Sequence, residues 1–251
     1  MDTTQYTLQL LLWCLARYPH AQERLRREIR DVVGEAPLTA DALAKMHYLR
    51  AVLREQHRLH YTVALGLREC LDEDVPISNG LMLPKGAFVF FFGGILPMDP
   101  AYVRGDPTLF LPERWLNRAG EFDRVKGGGA SAHELDNGER DAPAAAASAV
   151  PAEGERLAVV SNYRDLNNGP GAREVEVVAP SRKIKHVLME NPFAVGPRQC
   201  IGGRLATTEL RCAVVELVRR YQLTNTNTKS RDEEVSMRAP TPDPKIKFER
   251  L

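Results

Sequence analysis

The stretch Phe193-Ala-Val-Gly196-Pro-Arg198-Gln-Cys200-Ile-Gly202 decides how this chain is read. It places an aromatic ring, an arginine, a cysteine and two glycines directly before a segment of helical periodicity, Gly203 to Tyr221, with Leu205, Leu210, Val214 and Leu217 on one side. A cysteine ahead of a helix meets unpaired backbone N–H groups and the positive end of the helix dipole. Both favour the thiolate, which is the form that binds metal. Gly196 and Gly202 permit turns that a side chain would block. An isolated cysteine reads as a small buried hydrophobe, and Cys14, Cys70 and Cys212 are read so from their apolar or strand-like surroundings.

Upstream, Glu55-Gln-His-Arg58 falls on an amphipathic helix predicted over Leu49 to Leu59. Its i, i+3 spacing brings acid and base together, though such pairs are common on surfaces. Pro112-Glu-Arg114-Trp115 follows in order and offers a third charge. The chain opens Met1-Asp2-Thr3-Thr4, a sequence that by itself suits an N-cap for a helix predicted over Asp2 to Arg17. From Leu8 to Ala16 that helix is apolar almost all round and requires burial on every side. With nothing before it, it is expected to lie uncovered and to mark a large absent N-terminal part.

Between these stretches, Pro19 opens a charged helix, His20 to Val33, closed by Gly34, and Thr39 caps Ala40 to Lys45. Its Arg24, Arg26, Arg27, Arg30, Glu23, Glu28 and Asp31 are read as a solvated face. Val63 to Leu71 and Phe88 to Phe92 are predicted strands. Met237 to Leu251 is read as short strands broken by Pro240, Pro242 and Pro244. Residues 118–186, with Gly127-Gly128-Gly129 and an alanine run at 144–147, offer little to bury and are expected to form a flexible low-complexity insertion.

The cysteine stretch fills every fixed position of Phe-x-x-Gly-x-Arg-x-Cys-x-Gly, and the chain thereby resembles the C-terminal half of a cytochrome P450, a haem-thiolate monooxygenase. The resemblance covers most of residues 1–117 and 187–251. It implies a mainly α fold with a small β region, the C-terminal portion only of the cytochrome P450 fold. It implies three parts: 1–117 with the end of the distal helix, the Glu-x-x-Arg helix, the β region and the meander; the insertion 118–186; and 187–251 with the haem-thiolate loop, the proximal helix and C-terminal strands.

The same resemblance implies roles. Cys200 would bind the haem iron, Phe193 would shield its sulfur, and Gly202 would let the backbone approach the porphyrin. Arg198 and Arg68 would donate to the propionates. Glu55, Arg58 and Arg114 would form a buried charge network bracing the cysteine loop. Asp2 and Thr3 would relay protons for oxygen activation. Arg50 and Arg54 look like the basic pair with which mitochondrial-type members dock a ferredoxin. Leu83-Pro84-Lys85-Gly86 and Asp99-Pro100 resemble further family turns. Tyr61 stands where a proline is usual, and the insertion is longer than the family's.

The expected reaction inserts one oxygen atom of O2 into a small organic substrate, with electrons from a ferredoxin or a flavoprotein reductase. Membrane association, mitochondrial or in the endoplasmic reticulum, follows by analogy. One alternative is a haem-thiolate enzyme that rearranges peroxides or isomerises its substrate, against which the Asp2-Thr3 pair argues. The other is a non-catalytic fragment lacking the substrate pocket.

Composition is consistent with this. The 251 residues are 43% hydrophobic and carry a net charge of +1, which gives no electrostatic reason to expect nucleic acid. The four cysteines are too widely spaced for a zinc clip and too few for a disulfide scaffold. The apolar run near Tyr6 to Ala16 falls well below the roughly 20 residues needed to span a bilayer.

Overall fold

The computed structural model describes residues 2–62, 65–70, 72–77, 80–99, 103, 106–117, 119–122, 158–159, 176–177, 191–194, 196–226 and 245–251. The expected insertion therefore lies largely outside the described residues. Within it, β5 (Ala158–Val159) and β6 (Glu176–Val177) form a short parallel pair.

α1 (Asp2–Arg17) is the hub of the core. Leu10 through Ala16 are all buried, with Leu11 and Leu15 at 0% exposure. The expectation of an uncovered helix is thus corrected, because the chain covers α1 itself. α2 (Pro19–Val32), α4 (His47–Leu59) and α5 (Gly203–Arg220) pack on it together with β7 (Tyr221–Asn225) and β8 (Ile246–Arg250). Full burial of each large apolar side chain here contributes about 1.5–3 kcal/mol.

α2 starts at Pro19 and ends where Gly34 takes φ +57°, the left-handed conformation that lets its N–H reach the Ile29 carbonyl at 3.1 Å. α3 (Ala40–Lys45) is capped by the Thr39 hydroxyl, which accepts the Ala42 N–H at 3.2 Å. α4 begins two residues before its expected start, at His47 rather than Leu49. In α5 the buried stripe is Leu210, Val214, Val215 and Val218, whereas Leu205 is 65% exposed. Leu205 precedes Leu210 by five residues, about 140° away around a helix of 3.6 residues per turn, so it misses the core-facing side.

The β region consists of antiparallel pairs. β1 (Leu65–Glu69) pairs with β4 (Phe88–Phe92), Leu67 opposite Phe90 and Arg68 opposite Val89. β2 (Val75–Pro76) pairs with β3 (Met82–Leu83). β7 and β8 close the C-terminus, Leu223 opposite Phe248.

The reading of α2 as a solvated face holds for Glu23, Arg27, Arg30 and Asp31, which are exposed, and is corrected for Arg26 and Glu28. Arg26 donates to the carbonyls of Val218 and Tyr221, and Glu28 accepts backbone N–H groups of α4. The Gln22 amide, fully buried, donates to the carbonyls of Leu15 and Leu223 and accepts the Leu223 N–H. It ties α1, α2 and β7 with no orphaned polar atom.

Candidate functional site

Two clusters meet on α4. The first is built on Glu55, whose side chain, like that of Arg58, is 0% exposed. Arg58 clamps it from one turn away, Nη2 to Oε1 at 2.8 Å and Nε to Oε2 at 3.0 Å. Arg114 donates Nε to Oε1 at 3.2 Å, the Trp115 indole donates to Oε2 at 2.8 Å, and the Leu111 N–H donates to Oε1 at 3.0 Å. The remaining Arg58 N–H groups reach the carbonyls of Pro97, Pro107 and Leu109, and Arg114 reaches that of Asp106.

A buried ion pair is stable only when its remaining donors and acceptors are met, and this one meets them with backbone. Burial alone would raise the Glu55 carboxyl, but the charges and hydrogen bonds of Arg58 and Arg114 and the Leu111 N–H outweigh it and hold it below the usual value. The cluster brings together the residues the sequence paired. The described partners of its carboxylate and of Arg58 lie on α4 and in segment 97–115.

Trp115 as a donor was not anticipated, although an indole N–H beside a predicted buried carboxylate is a sequence signal for it. Neither was the satellite carboxylate Glu113, which accepts the Tyr48 hydroxyl at 2.9 Å and Arg24 Nη1 at 3.0 Å. Tyr61, in the usual proline position, lays its ring against Gly93. A Cβ there would come within 2.7 Å of the ring.

The second cluster is the cysteine loop. Cys200 is a free, exposed cysteine two residues before Gly202, the N-cap of α5. Its N–H donates to the Phe193 carbonyl at 2.9 Å, closing a loop in which Gly196 takes φ +75° and Gly196–Arg198 form a 3-10 turn. Phe193 packs on the first residue of α5. A Cβ on Gly203 would lie 3.0 Å from its Cγ. Close after Cys200 in the chain, Ile201 and Leu205 are exposed apolar side chains, at 103% and 65%. Arg198 is exposed.

Arrangement, spacing and motif order now point one way. Residues 1–128 and 181–250 match the family profile described as Cytochrome P450. The chain belongs to the cytochrome P450 family. Among relatives, a probable mitochondrial cytochrome P450 12a5 of Drosophila melanogaster is 28% identical over 99% of this chain and 37% of its own length. Human cytochrome P450 3A5 is 37% identical over 49% of the chain and 24% of its own length. Cytochrome P450 monooxygenase iliC of a Neonectria species is 37% identical over 47% and 24%. The chain thus spans from about a quarter to little more than a third of these relatives.

The other expected site residues lie on other elements. Arg68 sits on β1, exposed, its Nη1 on the Leu67 carbonyl at 2.8 Å. Asp2 is the first residue of α1, and its side chain lies outside the described residues. Thr3 is exposed, and its carbonyl accepts the Thr7 hydroxyl at 2.8 Å. The basic docking pair is corrected: Arg50 is only 8% exposed and donates to the Ala44 carbonyl, so it is not a surface charge. Among the described residues, no group of three or more His, Cys, Asp or Glu side chains could hold a metal ion, and no helix is long and apolar enough to cross a membrane.

Proposed function

We propose that this chain is the haem-binding C-terminal part of a monooxygenase whose iron ligand is Cys200. The carrying observation is the free, exposed thiol at the start of α5, held by the Cys200 N–H to Phe193 carbonyl bond at 2.9 Å. The residues fit the cofactor. A bare apolar surface at Ile201 and Leu205 suits a flat macrocycle, and a sulfur beside a helix N-terminus suits an iron ligand. When bound, the haem supplies the iron at which dioxygen is activated.

The residues of this chain then divide the remaining work. Cys200 would offer its sulfur to the iron, Phe193 would cover it, and Gly202 would keep the approach open. Arg198 and Arg68 would donate to the haem carboxylates. Asp2 and Thr3 hand protons toward the oxygen side. Glu55, Arg58 and Arg114 hold α4 against segment 97–115. The balance is R–H + O2 + 2 electrons + 2 protons giving R–OH + water. The substrate is a small organic molecule, and the electrons come from a ferredoxin or a flavoprotein reductase. A mitochondrial setting is supported by likeness to the probable mitochondrial cytochrome P450 of Drosophila melanogaster. The division into 1–117, 118–186 and 187–251 is supported by the family match at 1–128 and 181–250.

The test is the absorption spectrum of the reduced, CO-bound chain after reconstitution with haem, for the wild type and for Cys200→Ser. The long-wavelength Soret band of thiolate ligation is expected in the first and absent from the second. A band that survives Cys200→Ser removes Cys200 as the ligand.

A further inference from the structure

α4 carries His57 directly before Arg58, yet its ring takes no part in the charge cluster. Nδ1 lies 2.7 Å from the Leu53 carbonyl one turn back. A carbonyl can only accept, so Nδ1 bears the proton. Burial pushes the imidazole down to about 4, which leaves a neutral, aromatic ring fixed in one orientation. That ring meets Phe193, with centroids 5.8 Å apart and planes at 59°. This is a tilted aromatic contact within the favourable range.

Phe193 is held on two further sides, by the Cys200 N–H on its carbonyl and by the Gly203 backbone against its ring. A line of contacts therefore runs from the Leu53 carbonyl through His57 and Phe193 to Cys200. This ring contact joins α4 to the cysteine loop.

We propose that His57 is a positioning residue for Cys200, acting through Phe193. The inference rests on the reading of Cys200 as the haem ligand. Removing the imidazole frees Phe193 on its α4 side, and the loop that presents the sulfur loses that support from α4. A ring at position 57 is what the contact requires. The Nδ1 hydrogen bond keeps that ring in place.

The test uses the haem-free chain and the alkylation of Cys200 by iodoacetamide, read peptide by peptide with Cys212 as internal reference. His57→Ala should raise the Cys200 rate about threefold or more, a coupling within the usual span for residues in contact. Phe193→Ala should do the same. The double variant should be no faster than the quicker single one, because His57 acts only through Phe193. His57→Phe should restore the wild-type rate. If the buried Cys14 becomes reactive in His57→Ala, that variant has lost its fold, and His57→Leu takes its place in the cycle.

An unchanged Cys200 rate without the imidazole, while Phe193→Ala accelerates it, overturns the proposal. So do additive effects of the two substitutions. The ligand reading fails separately, by survival of the long-wavelength band in Cys200→Ser, an outcome that leaves the alkylation cycle as it was.

Discussion

The carboxylate of Glu28, on α2, accepts the backbone N–H of Leu49, on α4, at 2.8 Å. Its other oxygen accepts the Tyr48 N–H at 2.6 Å. α4 has Met46 at its N-cap and no side-chain cap of its own. A neighbouring helix thus satisfies two of the orphan donors that begin the helix bearing Glu55, His57 and Arg58. The negative charge also faces the positive end of the α4 dipole.

Removing this cap from outside should act like removing an ordinary one. Glu28→Ala is expected to lower stability by about 1–2 kcal/mol, as loss of a good N-cap does. Glu28→Gln, which keeps an acceptor oxygen, should lose less. Urea midpoints of the three chains decide it, and an unmoved midpoint in Glu28→Ala would show that water serves α4 equally well.

Two ion pairs should differ widely. Glu55→Ala strands Arg58 without its buried partner and should cost about 3–5 kcal/mol. Arg24→Ala breaks the pair with Glu113, whose arginine side chain is 40% exposed, and should cost about 0.2–1 kcal/mol. Equal costs in denaturant melts would remove the distinction between buried bracing and surface pairing.

Much of the fold was legible because its signals are local. Thr39, Pro19 and Gly34 punctuate the helices by chemistry that acts within a turn, and the spacing of Glu55 and Arg58 already places them side by side. What escaped the sequence depends on contacts between distant residues. Gln22 reaches Leu223, 201 positions away, and that closure of β7 onto α1 is what covers a helix expected to be bare. Glu28 follows Leu25 by three residues, on the edge of the buried stripe of α2, so its position hinted at a partner that charge counting hid. Arg50 was read as a docking charge by resemblance to a basic pair, and a motif match does not reveal that the residue is only 8% exposed.

Acid should weaken the fold through two buried histidines, while burial that raises the Glu28 carboxyl acts in the opposite sense. Burial lowers His57 and His60 from the ordinary 6.5 to about 4. Above pH 6.5 both are neutral in either state, and their contribution is fully present. As pH falls toward about 4, the unfolded chain binds protons the folded chain refuses, so stability drops by up to about 1.4 kcal/mol per pH unit for each histidine. Below the ordinary carboxylate range the lowered Glu55 adds a loss of the same sign. Denaturant midpoints across this range should show the slope, and His57→Phe with His60→Phe should flatten it between 6.5 and 4. An unaltered slope in that double variant would assign the acid sensitivity elsewhere.

Gly203→Ala sets two effects against each other. Alanine favours a helix over glycine by about 0.8–1.0 kcal/mol, a gain that applies in full only in a helix interior. The new methyl would sit 3.0, 3.2 and 3.3 Å from Phe193 atoms, and a crowded core contact costs about 1–3 kcal/mol. The outcome turns on whether Phe193 can retreat, and His57 lies against its ring at 5.8 Å. Gly203→Ala should therefore destabilise the wild-type chain, by about 1 kcal/mol on balance. In a His57→Ala background the ring has somewhere to go, and the same substitution should be close to neutral. Thermal melts of the four chains give the coupling directly. An equal cost in both backgrounds would mean that Phe193 is not wedged between α4 and α5.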